Sequence, residues 1–337
     1  MPKLCAAVED ARRQLGYPAH APVPCCYEAS RDGFSIHRML EGRGISITVL
    51  GPASVEVSRR RRRRKTDQID LKKLLALHVR HAYYGQEDGW RWARVPSIAA
   101  EAAMRLQHEH ECLQRERMMH VNRIRSLLAL QGTRCGNVRR IEPAAQRAWN
   151  GEPLPAEFQA HLVRELARLQ LADKQLREVE TEQHKRLTAR ATPTDEIAWK
   201  LYEWRGIGVQ GALTLATEFF GWRDFKNVKE LSALAGFYGT PCGSGEMWHD
   251  QGISKAGNHR VRRIIVQLAW MRLLWQLGSA LSQWFCQRTA QGGQRARRCV
   301  IAALANKLLK ALWKYSTHRI VLHGAIKKAM RGRIAAA

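Results

Sequence analysis

Apolar and polar positions along this chain change their period near Pro96. Before it the apolar runs are short. Leu4, Val8 and Ala11 share one face of a helix over 4–15. Residues 22–27 read as a strand ending at Glu28, and residues 44–50 as a second one, closed by Gly51-Pro52. A helix over 35–42 separates them, and strand–helix–strand order predicts an α/β unit with a parallel sheet. Another helix follows Asp70, carrying Leu71, Leu74, Leu75 and Leu77.

From Ser97 the stripes become long and narrow. Leu106, Leu113, Val121, Ile124 and Leu128 recur at helical spacing up to about Gln131. Leu162, Leu166, Leu169, Leu176 and Val179 do the same over Ala156–Ala189. Two polar helices with narrow apolar stripes, joined by a Gly- and Pro-containing stretch, predict an antiparallel coiled-coil hairpin over 97–190. Thr192-Pro193-Thr194-Asp195 caps a further helix and opens a helical domain over 191–337. There a glycine turn at Arg205–Ala212 leads into a helix over 213–220, a helix-hairpin-helix-like segment at 205–220. Two more helices are expected over 259–287 and 294–316, with Trp270, Trp275, Trp284 and Trp313 as core residues. The first domain is 1–96. The most apolar stretch, 264–285, is interrupted by Gln267, Arg272 and Gln276, which argues against a membrane span.

Charge sharpens the picture. The 337 residues hold 56 Lys and Arg against 30 Asp and Glu, a net charge of +26. Such an excess draws polyanions and favours a nucleic-acid partner. Eight cysteines lie scattered without a C-x-x-C pair, and no secretory leader is evident, so a reducing cytoplasmic setting is expected.

Three features carry candidate chemistry. Glu28 follows a strand, and Asp67 and Asp70 share one helical face at i and i+3. Converging carboxylates suit Mg²⁺, a hard ion that shares its shell with phosphates. Helix capping is the plain alternative for the two aspartates. Beside them Arg59, Arg60, Arg61, Arg62, Arg63, Arg64 and Lys65 form a cationic run suited to a phosphate backbone. Ser244 stands between Gly243 and Gly245 on an irregular loop, followed by Lys255, Asn258, His259, Arg260, Arg262 and Arg263. A serine presented beside a phosphate clamp can act as a nucleophile in phosphoryl transfer; a Gly-Ser-Gly turn without chemistry is the alternative. Gly206 and Gly208 expose backbone N–H groups at a helix start, which suits a phosphate as well as a simple turn. His108 and His110 fall on the polar face of the first long helix, and their i, i+2 spacing argues against a shared metal.

Taken together, residues 26–34 (CYEASRDGF), 65–75 (KTDQIDLKKLL), 120–128 (HVNRIRSLL), 205–215 (RGIGVQGALTL), 234–245 (LAGFYGTPCGSG) and 252–263 (GISKAGNHRVRR) resemble the DEDD transposases of insertion sequences, the insertion-sequence-110 family and its 1111-type subgroup. The resemblance spans nearly the whole chain in the family's order. It implies α/β plus α architecture: a RuvC-like, RNase H-type domain, a coiled-coil arm and a helical transposase domain. It implies Mg²⁺ (or Mn²⁺) held by acidic residues, with Glu28, Asp67 and Asp70 matching the second to fourth. It implies Ser244 as the residue that links covalently to DNA, and Arg59–Lys65, Gly206, Gly208, Lys255, Asn258, Arg260 and Arg263 as nucleic-acid contacts. The expected partners are donor and target double-stranded DNA, a structured bridge RNA as guide, and further copies of the chain, as a homodimer assembling to a tetramer. By the same resemblance the first Asp should lie on an opening strand before the helix over 4–15, and no Asp here matches it. A catalytically incomplete nucleic-acid-binding remnant, or a metal nuclease without a serine intermediate, are the competing expectations.

Overall fold

The computed structural model describes residues 2–18, 21–29, 33–51, 67–85, 92–244 and 247–329, with the backbone alone at Pro2, 67–70 and 240–251. The chain forms two compact units, Met1–Ser97 and Ile98–Ala337.

In the first unit, helix α1 (Pro2–Gln14) precedes strand β1 (Cys25–Glu28), helix α2 (Ser35–Glu41), strand β2 (Ile47–Leu50) and helix α3 (Asp67–Tyr84). The strands pair in parallel, Cys25 opposite Ile47 and Glu28 opposite Leu50. The crossover helix α2 buries Leu40 with Ile45 and Ile47, and Cys5 and Val8 of α1 pack on that cluster. The expected strand–helix–strand order is present, and the first strand starts later than expected, at Cys25, and ends on Glu28. Among the described residues the sheet has two strands, extended by a single bridge from Leu50 to Trp92. The protein as described is therefore mostly helical, with a small parallel sheet. Arg59–Lys65 lie outside the described residues.

In the second unit, helices α4 (Ile98–Leu130) and α5 (Ala156–Ala189) run antiparallel. Their apolar stripes meet as Leu113 with Leu176 and Val179, and Ile124 and Leu128 with Leu162, Leu166 and Leu169. Buried polar pairs interrupt the stripe: His120 Nδ1 to Glu165 Oε2 at 2.7 Å, and Gln183 Nε2 donating to Gln107 Oε1 at 3.0 Å. A polar pair in an apolar seam is satisfied in one register only, so these pairs set the alignment of the hairpin.

Helix α6 (Pro193–Tyr202) is capped as expected, Thr192 Oγ1 accepting from the Asp195 N–H at 3.2 Å. Helix α7 (Val209–Leu215) continues into a π-helical turn, Ala216–Phe220. Then come α8 (Val228–Leu234), strands β3 (Gly239–Ser244) and β4 (Met247–Ile253), and helices α9 (His259–Trp275), α10 (Ala280–Thr289) and α11 (Gln294–His318). The core is built on Phe219, Phe285, Leu215, Ile265 and Leu308, all at most 2% exposed.

Three expectations are corrected here. The helix over 259–287 is two helices: at the break Gln276 spends its amide on the Arg205 carbonyl and on the Ile326 N–H, and Arg272 Nε donates to Ser279 Oγ at 3.2 Å. Trp270 and Trp275 are 40% and 47% exposed rather than core, Trp275 lying under the Arg205 guanidinium, while Trp284 and Trp313 pack half-buried on the core. Ser244 closes a β-strand, not an irregular loop; glycine and proline within 239–244 hide that strand from a propensity reading.

Candidate nucleic-acid interface

The segment around Ser244 is organised by backbone. β3 and β4 pair antiparallel, Ser244 opposite Met247 at the turn and Gly239 opposite Ile253 at the base. Beyond the base the chain stays strapped together. The Ser254 N–H donates to the Tyr238 carbonyl at 2.7 Å, Lys255 to Gly236 at 3.2 Å, and Asn258 to Leu234 at 2.7 Å. Closing this strap needs left-handed backbone at Gly236 (φ 75°) and Gly257 (φ 107°). A Cβ at Gly257 would fall inside the van der Waals surface of the Leu234 carbonyl oxygen. Lys255 also has φ 58°, and its side chain is exposed. Five strand steps separate Ser244 from Gly239, roughly 16 Å. Within one chain the hairpin therefore holds the serine and the Lys255–Arg263 segment at opposite ends.

Asn258 caps α9, its Oδ1 accepting from the Arg260 and Val261 N–H groups, each at 3.0 Å. Its amide donates to Glu218 Oε2 at 2.7 Å, and His108 Nε2 meets Glu218 Oε1 at 2.7 Å. Arg260 Nε donates to Glu111 Oε2 at 2.8 Å, and Arg263 lies 3.3 Å from Glu111 Oε1. His110 is buried, bonded to Gln210 at 2.7 Å and to Glu180 at 3.3 Å. The two histidines thus leave the polar surface and clasp α4 to the helical domain, through the π-helical turn that carries Glu218. This clasp was missed because a His-Glu-His run looks solvated when no partner for it is visible. Asn258 and Arg260 are held by the fold; Arg263, half-exposed, keeps donors for an outside partner.

Burial alone would raise the Glu218 carboxyl, but hydrogen bonds from His108 and Asn258 outweigh it and hold it below its ordinary 4.5. A carboxyl lowered in the folded state stabilises above its unfolded pKa and loses that contribution as pH falls through the folded value. Thermal unfolding should therefore be insensitive to this group above about pH 5 and weaken below about pH 4.5. Glu218→Gln should lower Tm at pH 7 and show a smaller further loss on acidification. Equal acid slopes in parent and variant would refute a role for the clasp. His259 is pushed down by burial first and then by the Arg260 charge beside it, a sign of crowded cations.

The glycine turn is bound on its other side. Gly206 has φ 88° and packs on the Met271 carbonyl, and Gly208 opens α7. The chain from Ile326 to Lys328 lies along this turn. Ile326 accepts from the Arg205 N–H at 3.0 Å, Lys327 pairs with Glu203 at 2.9 Å, and Lys328 Nζ donates to the Ile207 carbonyl at 2.7 Å. Burial pushes the Lys328 amine down to about 8.

A further cationic surface follows from composition. Residues 251–337 contain 17 Lys and Arg and no Asp or Glu, Asp250 being the last acid. On α11, Arg295, Arg297, Arg298, Lys307 and Lys314 are exposed, and among the described residues the helix makes no ion pair. Lys307 Nζ lies 4.8 Å over the Trp284 ring. A count of acids along the chain, rather than of bases, is the signal that finds this face.

In the first unit Glu28 is the last, exposed residue of β1, at the carboxyl end of the parallel pair, where open parallel sheets bind ligands. Asp67 and Asp70 occupy the first turn of α3, and α3 packs on β1. The donor set is all carboxylate, which fits a hard divalent cation. Among the described residues no cluster of three His, Cys, Asp or Glu side chains gathers, and the side chains of Asp67 and Asp70 lie outside that set. Among the described residues no single helix is long and apolar enough to cross a membrane.

A helical domain this rich in exposed cations, bearing a strapped hairpin, suits a polyanionic partner. Residues 200–284 match the family described as Transposase IS116/IS110/IS902 family. The chain is 40% identical over 330 residues to "Putative transposase y4rJ" of Sinorhizobium fredii, covering 94% of this chain and 82% of that protein. It is 30% identical over 178 residues to the transposase for insertion sequence element IS1328 of Yersinia enterocolitica, half of each chain. A second Sinorhizobium fredii relative, "Putative transposase y4qE", is 24% identical over 248 residues, 73% of this chain and 57% of that protein. The chain belongs to the IS110/IS116/IS902 family of transposases, whose chemistry is phosphoryl transfer on DNA.

Proposed function

We propose that this transposase cuts and rejoins DNA through a covalent link to Ser244, guided to donor and target duplexes by a structured bridge RNA. The observation that carries the reading is position: Ser244 lies inside the 200–284 family match, as the last residue of β3 beside the hairpin turn. The Ser244 hydroxyl oxygen attacks a phosphodiester phosphorus, one bond to a deoxyribose oxygen breaks, and that oxygen takes up a proton as the serine proton is lost. The phosphoserine diester keeps the phosphate activated, and a hydroxyl of the incoming strand then displaces serine, restoring its proton. Glu28, Asp67 and Asp70 would hold Mg²⁺ or Mn²⁺, which supplies Lewis-acid stabilisation of the charged phosphoryl group. The exposed cations Lys255, Arg263 and those of α11 grip backbone rather than read bases. A homodimer that pairs into a tetramer lets the serine of one copy meet the acidic residues of another.

Asp67→Ala and Glu28→Ala should each abolish divalent-dependent strand cleavage of a donor duplex, and chelation should do the same to the parent. Leaving out the RNA transcribed from the flank of the parent element should remove target selection. Unchanged cleavage in Asp67→Ala would refute the metal assignment, and RNA-independent target choice would refute guidance.

A further inference from the structure

Between α9, α11 and the segment that follows α11 lies a cavity of about 10 Å³, bordered by Trp204, Arg272, Leu308, Tyr315, Leu322 and Ala325. Two of these residues carry unused donors. Arg272 is 6% exposed, and its Nη2 has no hydrogen-bond partner; Trp204 is 4% exposed, and its Nε1 has none either. We propose that this cavity is a binding site for a single halide ion, chloride under ordinary conditions, held between the Arg272 guanidinium and the Trp204 indole N–H.

The chemistry of the lining selects the occupant. A buried unsatisfied donor costs about 1–3 kcal/mol, and more when it is charged. Both residues border the same void, so a single acceptor within it would serve both. The volume matches a single small sphere. A water could accept from both donors but has its own two hydrogens to place, and the other bordering side chains are aliphatic apart from Tyr315, whose hydroxyl is directed to Glu203 at 3.5 Å. A halide only accepts. Charge points the same way. No Asp or Glu occurs anywhere in 251–337, which supplies every bordering residue except Trp204. Glu203, next to Trp204, is taken by Lys327 at 2.9 Å. Arg272 is thus a buried cation without a carboxylate, a situation that is expensive unless an anion completes it. Burial alone lowers its pKa, to about 10, with no acid opposing it.

The site also has a structural consequence. The ion would join three segments that Gln276 also ties together: the Trp204 turn before α7, the end of α9, and the closing segment through Leu322 and Ala325. That segment bonds to the break, Ala280 N–H donating to the His323 carbonyl at 3.3 Å.

The test uses the full chain at constant ionic strength, with sodium gluconate replaced stepwise by sodium bromide. Tm should rise with the logarithm of bromide concentration, by roughly 3–5 °C once bromide exceeds its dissociation constant about tenfold. Crystals grown in bromide should give an anomalous peak between Arg272 and Trp204. Trp204→Phe removes one donor while keeping an aromatic ring, and should weaken the bromide dependence several-fold; Arg272→Met should remove it. If Arg272→Met fails to fold, Trp204→Phe and the anomalous map decide. A Tm indifferent to the anion, an unchanged bromide response in Trp204→Phe, or a peak that is water alone would each overturn the proposal.

Discussion

Replacing Ser244 with alanine is expected to eliminate the covalent protein–DNA adduct, and to reduce strand cleavage by about 10³-fold or more, as loss of a nucleophile does. DNA affinity should change little. The exposed cations of the strap lie beyond the hairpin base, roughly 16 Å along the strand from position 244, and the others belong to a separate helix, α11. The measurement pairs a denaturing gel for the adduct with a binding titration on the same donor duplex. Loss of adduct with retained binding supports the serine step. An adduct at parental level in Ser244→Ala means another residue attacks, and the hairpin then serves positioning only. Loss of both together would mean that the substitution damaged the fold.

Gly257→Ala is expected to destabilise the second unit by about 3 kcal/mol or more, a fall in Tm of roughly 10 °C. Two costs coincide. A φ of 107° is strained for any residue with a Cβ, and that Cβ would collide with the Leu234 carbonyl oxygen. The oxygen cannot move away freely, because it accepts from the Asn258 N–H at 2.7 Å. Asn258 in turn caps α9 and donates to Glu218, so strain at Gly257 spreads to the cap and to the clasp on α4. Scanning calorimetry of the full chain reads the effect. A Tm within 2–3 °C of the parent would show that the strap relaxes at little cost.

Local and periodic features were legible in the sequence. The span of α5 follows from Pro155 before it and the stripe Leu162, Leu166, Leu169, Leu176 and Val179, and the Thr192 cap follows from side-chain chemistry alone. The parallel pairing of β1 and β2 follows from element order. Features that depend on a distant partner were not legible. His108 and His110 look like surface residues until Glu218, Gln210 and Glu180 arrive from elsewhere in the chain. The break at Gln276 depends on Arg205 and Ile326, far apart in sequence. Trp270 and Trp275 were expected in the core from their helical spacing, yet Phe219 and Phe285 fill it. Of the site, residue types could be named from motif and charge. The placement of Ser244 at one end of a hairpin and the cations at the other could not, since Gly and Pro obscure strand periodicity there.

The clasp on α4 has a mechanical meaning. Glu111 and its arginine partners hold the helix about two fifths of the way along, and Leu130 at its far end is 19 residues further on. At 1.5 Å per residue that free length is about 29 Å. The hairpin is thus a lever rooted in the clasp and in the packing of Leu187 of α5 on Ala198 and Leu213. A tilt of about 10° at the pivot displaces the tip by roughly 5 Å, the height of one helical turn. Polyanions that compete for Arg260 and Arg263 would act at the pivot, and the displacement would be read at the tip.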